Sequence, residues 1–178
     1  STIDVMVVYT TAAKNANGGP NGIEALIDLG ISLANTAFAN SRISTQFRLV
    51  HTGEVTYTES GNGDTDLNRL RGTTDGFMDE VHTWRNTYKA DLVALIEANL
   101  GNICGIAYVM NNVSPGFAGS AFTRLLASGR RTRASRSAAM SIAFAHGVRR
   151  CRLIGSAICS PTVSDGFSEL IGSWKIMA

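Results

Sequence analysis

The chain has 178 residues, 44% of them apolar, and a mean hydropathy of +0.06, which suits one ordinary domain with a core of its own. No stretch approaches the roughly 20 uninterrupted apolar residues of a membrane-spanning helix, and residues 1–10 open directly as a strand pattern without a basic and then apolar leader, so no membrane association is expected. The net charge of +2 hides an asymmetry: residues 1–121 hold seven Lys and Arg against twelve Asp and Glu, a net of −5, whereas residues 122–178 hold nine against two, a net of +7; such a split commonly marks a basic tail or a separate module.

Ile3 to Tyr9 is a mostly apolar, β-branched run that predicts a central strand buried on both faces. Lys14 to Asn21, rich in Asn and Gly, predicts a loop. Ile23, Leu26, Ile27, Gly30, Ala34, Ala37 and Phe38 then recur at helical spacing and predict a long amphipathic helix. Phe47 to Val50 and Val55 to Tyr57 read as strand pieces, and Thr58 to Asp64 as an exposed loop. A second long helix is expected with Phe77, Val81, Trp84 and Tyr88 as its stripe, Asp79 and Glu80 in its first turn and Lys89 near its end. Leu92 to Ile96 predicts another buried strand, so strand, helix, strand, helix, strand recurs and points to an α/β class with parallel strands. Gly105 to Met110 adds one more strand, and Ser114-Pro115-Gly116 breaks the chain before Ala121 and Phe122.

From about Arg124 the texture changes. Eight Arg lie between Arg124 and Arg152 among Ser, Ala, Gly and Leu, and only Ala138 to Ala145 still reads as a helix entering a core. The run from Arg130 to Arg136 has no interleaved aromatics, so no nucleic-acid partner is expected beyond non-specific attraction. Cys104, Cys151 and Cys159 allow at most one intrachain disulfide, and their pairing stays open. Asp64, Asp66, Asp75, Asp79 and Glu80 lack the spacing of a calcium loop and read as a solvated loop and a helix cap. No Gly-x-Ser-x-Gly elbow is present to suggest a serine nucleophile.

Several blocks in order carry a more specific signal: Ile3-Asp4-Val5-Met6-Val7-Val8-Tyr9-Thr10, Leu49-Val50-His51-Thr52, Tyr57-Thr58-Glu59-Ser60-Gly61, Asp75 to His82, Ala90-Asp91-Leu92-Val93 and Cys104-Gly105-Ile106-Ala107-Tyr108. Over about residues 3–122 the chain resembles the reprolysin-like metzincins, most of all the bacterial peptidyl-Asp metalloendopeptidases. The resemblance implies a metzincin-like subdomain: a mixed, mostly parallel twisted sheet, two long helices and a third, active-site helix near Ser137 to Arg149. It also implies that Gly105, Ile106, Ala107 and Tyr108 belong to an edge strand on which a peptide substrate pairs.

In the family, zinc is held by three His of an HExxHxxGxxH helix whose Glu serves as base. Here Phe144-Ala145-His146 resembles the start of that motif, which leaves His146 as the one candidate metal ligand. Gly147 stands where the Glu belongs, so no catalytic residue is assigned. Arg150 replaces the second ligand, no His follows His146, and Gly155 falls nine residues after His146 instead of seven. Neither His51, expected in the sheet, nor His82, expected in the second helix, fills the gap. A break in the coding frame between about Thr123 and the C-terminus would account for the Arg-rich composition, the echoes of the motif and the lost ligands together. The alternative is a natural non-catalytic relative, a scaffold or binding protein with a basic tail. Residues 1–178 are therefore expected to form a single metalloprotease-like domain, well matched to residue 122 and atypical over 123–178. It would be secreted or periplasmic, a monomer acting on a peptide or protein, with zinc implied by the family but no stoichiometric zinc expected in this chain.

Overall fold

The opening apolar run becomes strand β1, Thr2–Thr10, and is buried from Val5 onwards. Both of its sides are paired in parallel, by β2, Gln46–Val55, and by β3, Leu92–Glu97. A strand enclosed this way has apolar side chains on both faces, because helices cover both sides of a parallel sheet. The register between β1 and β2 skips Val50, with Leu49 opposite Val5 and His51 opposite Met6. The two expected strand pieces are thus one ten-residue strand with an irregularity in the middle, and Tyr57 lies beyond its end.

The computed structural model describes residues 1–103, 105–108 and 122–126. A short helix, α1, Thr11–Ala16, occupies the start of the expected loop; the Thr10 hydroxyl caps it by accepting the Ala13 N–H. Gly18 and Gly19, with φ of 84° and 91°, turn the chain. Pro20 then opens α2, Pro20–Asn40, at the helical position where its missing N–H costs nothing. Ile23, Ile27, Gly30, Ala34 and Phe38 form the buried stripe of α2, against Val5, Val7 and Tyr9 of β1 and Leu92, Ala94 and Ile96 of β3. The Asn35 amide exchanges two hydrogen bonds with the Phe47 backbone, at 2.7 and 2.9 Å, and fixes α2 along β2. Among the described helices α2 alone has the length and apolar composition of a membrane span, yet that stripe is packed on the sheet.

On the opposite face Met6, Val8, Val93 and Leu95 meet Val55, Tyr57, Leu70, Met78 and Val81. The expected second helix is preceded by a helix not expected from the sequence, α3, Gly63–Arg71, and is itself the nine-residue α4, Glu80–Tyr88. Gly76 and Met78 between them have φ of 83° and 56°, a conformation no right-handed helix can pass through. Phe77 is therefore outside any helix and exposed, not part of the stripe, and Asp79 is the residue just before α4. Tyr88 is exposed as well.

Two further strands complete the sheet. β4, Gly105–Ala107, is antiparallel to β5, Phe122–Leu126, and β5 is parallel to β3, which sets the order β2-β1-β3-β5-β4. The sheet is mixed and mostly parallel, as expected, but β5 is a strand that the residue pattern does not announce. The expected active-site helix at 137–149, with His146, Gly147 and Arg150, lies outside the described residues, as do Cys104, Cys151 and Cys159.

Candidate active-site border

Gly105, Ile106 and Ala107 stand in the outermost strand, whose one ladder partner among the described residues is β5. Its far side carries backbone N–H and C=O groups outside that ladder, the property of an edge that can accept another strand. Of the described part of the expected run, residues 105–108, these three are regular strand; residues 109 and 110 lie outside the described residues. Tyr108 is next and half-buried; its hydroxyl donates to the Asn68 side-chain oxygen at 2.7 Å, and the Arg71 guanidinium lies 5.0 Å from its ring centre.

The helix that pins Tyr108 carries conventional signals. The Asn62 side-chain oxygen accepts the Thr65 N–H at 3.0 Å, Asp64 and Asp66 occupy the first turn, and Arg69 and Arg71 the last, each charge suited to its end of the helix dipole. Leu67 and Leu70 bury its inner side. Asp66 corrects the expectation of a solvated acidic loop. It is fully buried, and it accepts from the Tyr57 hydroxyl and from the Ser60 N–H at 3.2 Å. Tyr57 accepts in turn from Arg69 at 3.0 Å. Burial pushes the Tyr57 phenol up, and its bond to Asp66 adds to the shift. Asp75 and Asp79 accept backbone N–H groups of Phe77 and Gly76.

Glu59, in the Tyr57 to Gly61 block, ties the approach to the edge strand. Its carboxylate accepts from the Thr10 hydroxyl and from the N–H groups of Ala98 and Asn99, both at 2.8 Å. The turn that leaves β3 towards β4 is thereby fastened to the end of β1. No sequence spacing announces this contact, because its partners are backbone groups about 40 residues away.

Among the described residues, the two histidines are placed away from this edge. His51, on β2, stacks on Tyr88 with ring centres 3.9 Å apart and meets Trp84 edge-on at 5.8 Å; burial depresses its pKa. His82 is on α4, which packs against β1 and β2. Four strand spacings separate β2 from β4, roughly 19 Å at about 4.8 Å each, so His51 cannot share an ion with an imidazole beside β4. Among the described residues no three His, Cys, Asp or Glu side chains are grouped to hold a metal. With Gly147, Arg150, Leu153 and Ser156 at the remaining motif positions after His146, the residues present do not fit a three-imidazole zinc site.

The reprolysin-type profile of metallo-peptidase family M12 matches residues 1–147. The peptidyl-Asp metalloendopeptidases of Xanthomonas campestris pv. campestris and Stenotrophomonas maltophilia are each 42% identical over 107 residues, covering 60% of this chain and 25% of the relative. That of Pseudomonas aeruginosa is 38% identical over 117 residues, 61% of this chain and 18% of its own. The chain thus spans a quarter or less of the length of these relatives. A chain in a solved chaperone-substrate complex shares the fold with a TM-score of 0.61 at 21% identity, covering 77% of this chain and 22% of that one. With a profile match over residues 1–147, and with the sequence blocks seated in and around β1, β2, β3 and β4, the chain belongs to metallo-peptidase family M12, reprolysin type.

Proposed function

We propose that this chain is the substrate-holding part of a zinc-dependent, metzincin-type metalloendopeptidase whose catalytic motif is broken, so that it pairs with extended peptides and does not hydrolyse them. The observation that carries the reading is the position of β4: a short antiparallel strand at the free edge of a parallel sheet, steadied by α3 through Tyr108. An extended peptide can add to such an edge through main-chain hydrogen bonds. The names of the relatives suggest a peptidase acting at Asp in the intact enzyme, secreted or periplasmic and monomeric.

Hydrolysis in this family needs a carboxylate and two further imidazoles at positions this chain fills with Gly147, Arg150 and residues other than His, so no step of the reaction is assigned to it.

Metal analysis of the purified chain, together with casein hydrolysis with and without a chelator, tests the reading. The expected result is no stoichiometric zinc and no chelator-sensitive cleavage. One zinc per chain with chelator-sensitive cleavage would overturn it. Resequencing codons 120–178 separates the two origins: a corrected frame that restores HExxHxxGxxH marks a damaged enzyme, and a tail that stands in every frame marks a natural non-catalytic relative.

A further inference from the structure

We infer that the carboxyl ends of β1 and β3 form a binding notch for a small monocarboxylate, of the size of formate or acetate, which the chain fills with its own Glu59 side chain. The inference stands apart from the reading of β4, which is separated from β3 by β5. Three donors converge in the notch. The Thr10 hydroxyl and the Ala98 N–H reach one Glu59 oxygen and the Asn99 N–H reaches the other, both amides at 2.8 Å. Consecutive backbone N–H groups turned to one side make a concave site for an anion. Its place in the fold is also one that open α/β sheets use for ligands. The chain leaves β1 towards β2 and leaves β3 towards β4, in opposite directions across the sheet, which opens a crevice at the carboxyl ends of the two strands.

The donors are set by the fold and not by Glu59. Thr10 is fully buried at the end of β1, and its oxygen already accepts the Ala13 N–H in the cap of α1, so its one proton is left for the notch. Ala98 and Asn99 follow β3 directly, and the Asn99 side-chain oxygen accepts the Gly101 N–H at 2.9 Å, which shapes the turn that carries them. Glu59 arrives from a separate loop, 49 residues from Thr10 and 39 from Ala98. It behaves as a ligand tethered to the chain, and being half-buried it leaves the mouth of the notch open to solvent. Alanine at position 59 removes a CH2–COO⁻ group, the equivalent of acetate. Hydrogen bonds to an ionised acceptor are the strong ones, so the vacated donors favour an anion with two oxygens over water.

The test is urea unfolding of the full chain, followed by tryptophan fluorescence, in about 1 M sodium formate and in sodium chloride at the same molarity; general salt effects then cancel between variants. E59A vacates the notch, E59Q keeps it filled with a neutral isostere, and the parent keeps its own carboxylate. With a Kd on the order of 0.1 M, formate should raise the folded-to-unfolded ratio of E59A about tenfold over chloride and leave E59Q and the parent within about twofold. The amide resonances of Ala98 and Asn99 should move saturably with formate in E59A and stay still in the parent. If E59A is unfolded in chloride, formate should refold it, which is the same result. Equal behaviour of E59A in the two salts, including a chain unfolded in both, overturns the site. So does a gain of the same size in E59Q or the parent, or a gain during which those two amides do not move.

Discussion

Replacing Glu59 by Gln removes one charge and almost no volume at the junction of β1, the loop before α3 and the turn after β3. In the native chain one carboxylate oxygen accepts from Thr10 and Ala98 and the other from Asn99. An amide oxygen can keep the first two, leaving the new NH2 group facing the Asn99 N–H, donor against donor. A hydrogen bond to a charged group contributes about 1.5–3 kcal/mol; Glu59 is half-buried, so the lower part of that range applies, and the two surviving bonds weaken when their acceptor becomes neutral. The sum is a loss of about 2 kcal/mol, or roughly 4–8 °C in Tm for a domain of this size. Urea denaturation followed by far-ultraviolet circular dichroism measures it, with E24Q on the exposed side of α2 as a control expected to stay within about 0.5 kcal/mol of the parent. Should E59Q unfold at the same urea concentration as E24Q, the carboxylate does not tie these three segments together.

The same contacts lead to other expectations. L70A opens a cavity where a fully buried side chain joins α3 to the sheet and should cost about 2–4 kcal/mol; a loss under about 1 kcal/mol in urea melts would mean that α3 is not packed there. G101A should cost about 1–3 kcal/mol, because Gly101 has φ of 71° and a Cβ would stand 2.6 Å from the Gly61 carbonyl oxygen; an unchanged Tm would refute that close approach. Burial holds the folded pKa of His51 below its ordinary value near 6.5. The unfolded chain therefore takes up the proton first, so the contribution of the neutral ring is complete above about pH 6.5 and is lost as pH falls through the folded value. H51F should flatten that part of the stability profile, and identical profiles for H51F and parent between about pH 7 and pH 5 would refute the assignment.

The elements legible from sequence are those whose burial leaves a periodic trace. β1 and β3 are unbroken apolar runs because both faces are covered, and α2 repeats its small and apolar residues every three or four positions along one stripe. α3 leaves a fainter trace because Leu67 and Leu70 are its only large apolar residues, although its Asn cap, acidic first turn and basic last turn are all readable signals. The separation of α3 from α4 rests on a backbone turn at Gly76 and Met78, and a Met with positive φ has no sequence signature. β5 has Arg124 at its centre and resembles the basic segment C-terminal to it more than a strand inside a sheet. At the candidate site, the edge run and the missing motif residues are visible as sequence. The fastening by Glu59 and the platform made by Asn68, Arg71 and Tyr108 join residues about 40 apart, a distance across which only the fold brings them together.

The place of β5 also dictates an order of events. β4 leaves the ribosome first, but its ladder partner is a strand that comes 15 residues later in the chain and must enter between β3 and β4. Until Phe122 to Leu126 have been synthesised and docked, β3 offers its outer side to solvent and the segment 105–107 has nothing to pair with. The outer edge of the sheet is therefore a late product of synthesis. A reading-frame slip upstream of codon 122 would erase that edge, whereas a slip downstream of codon 126 would spare it.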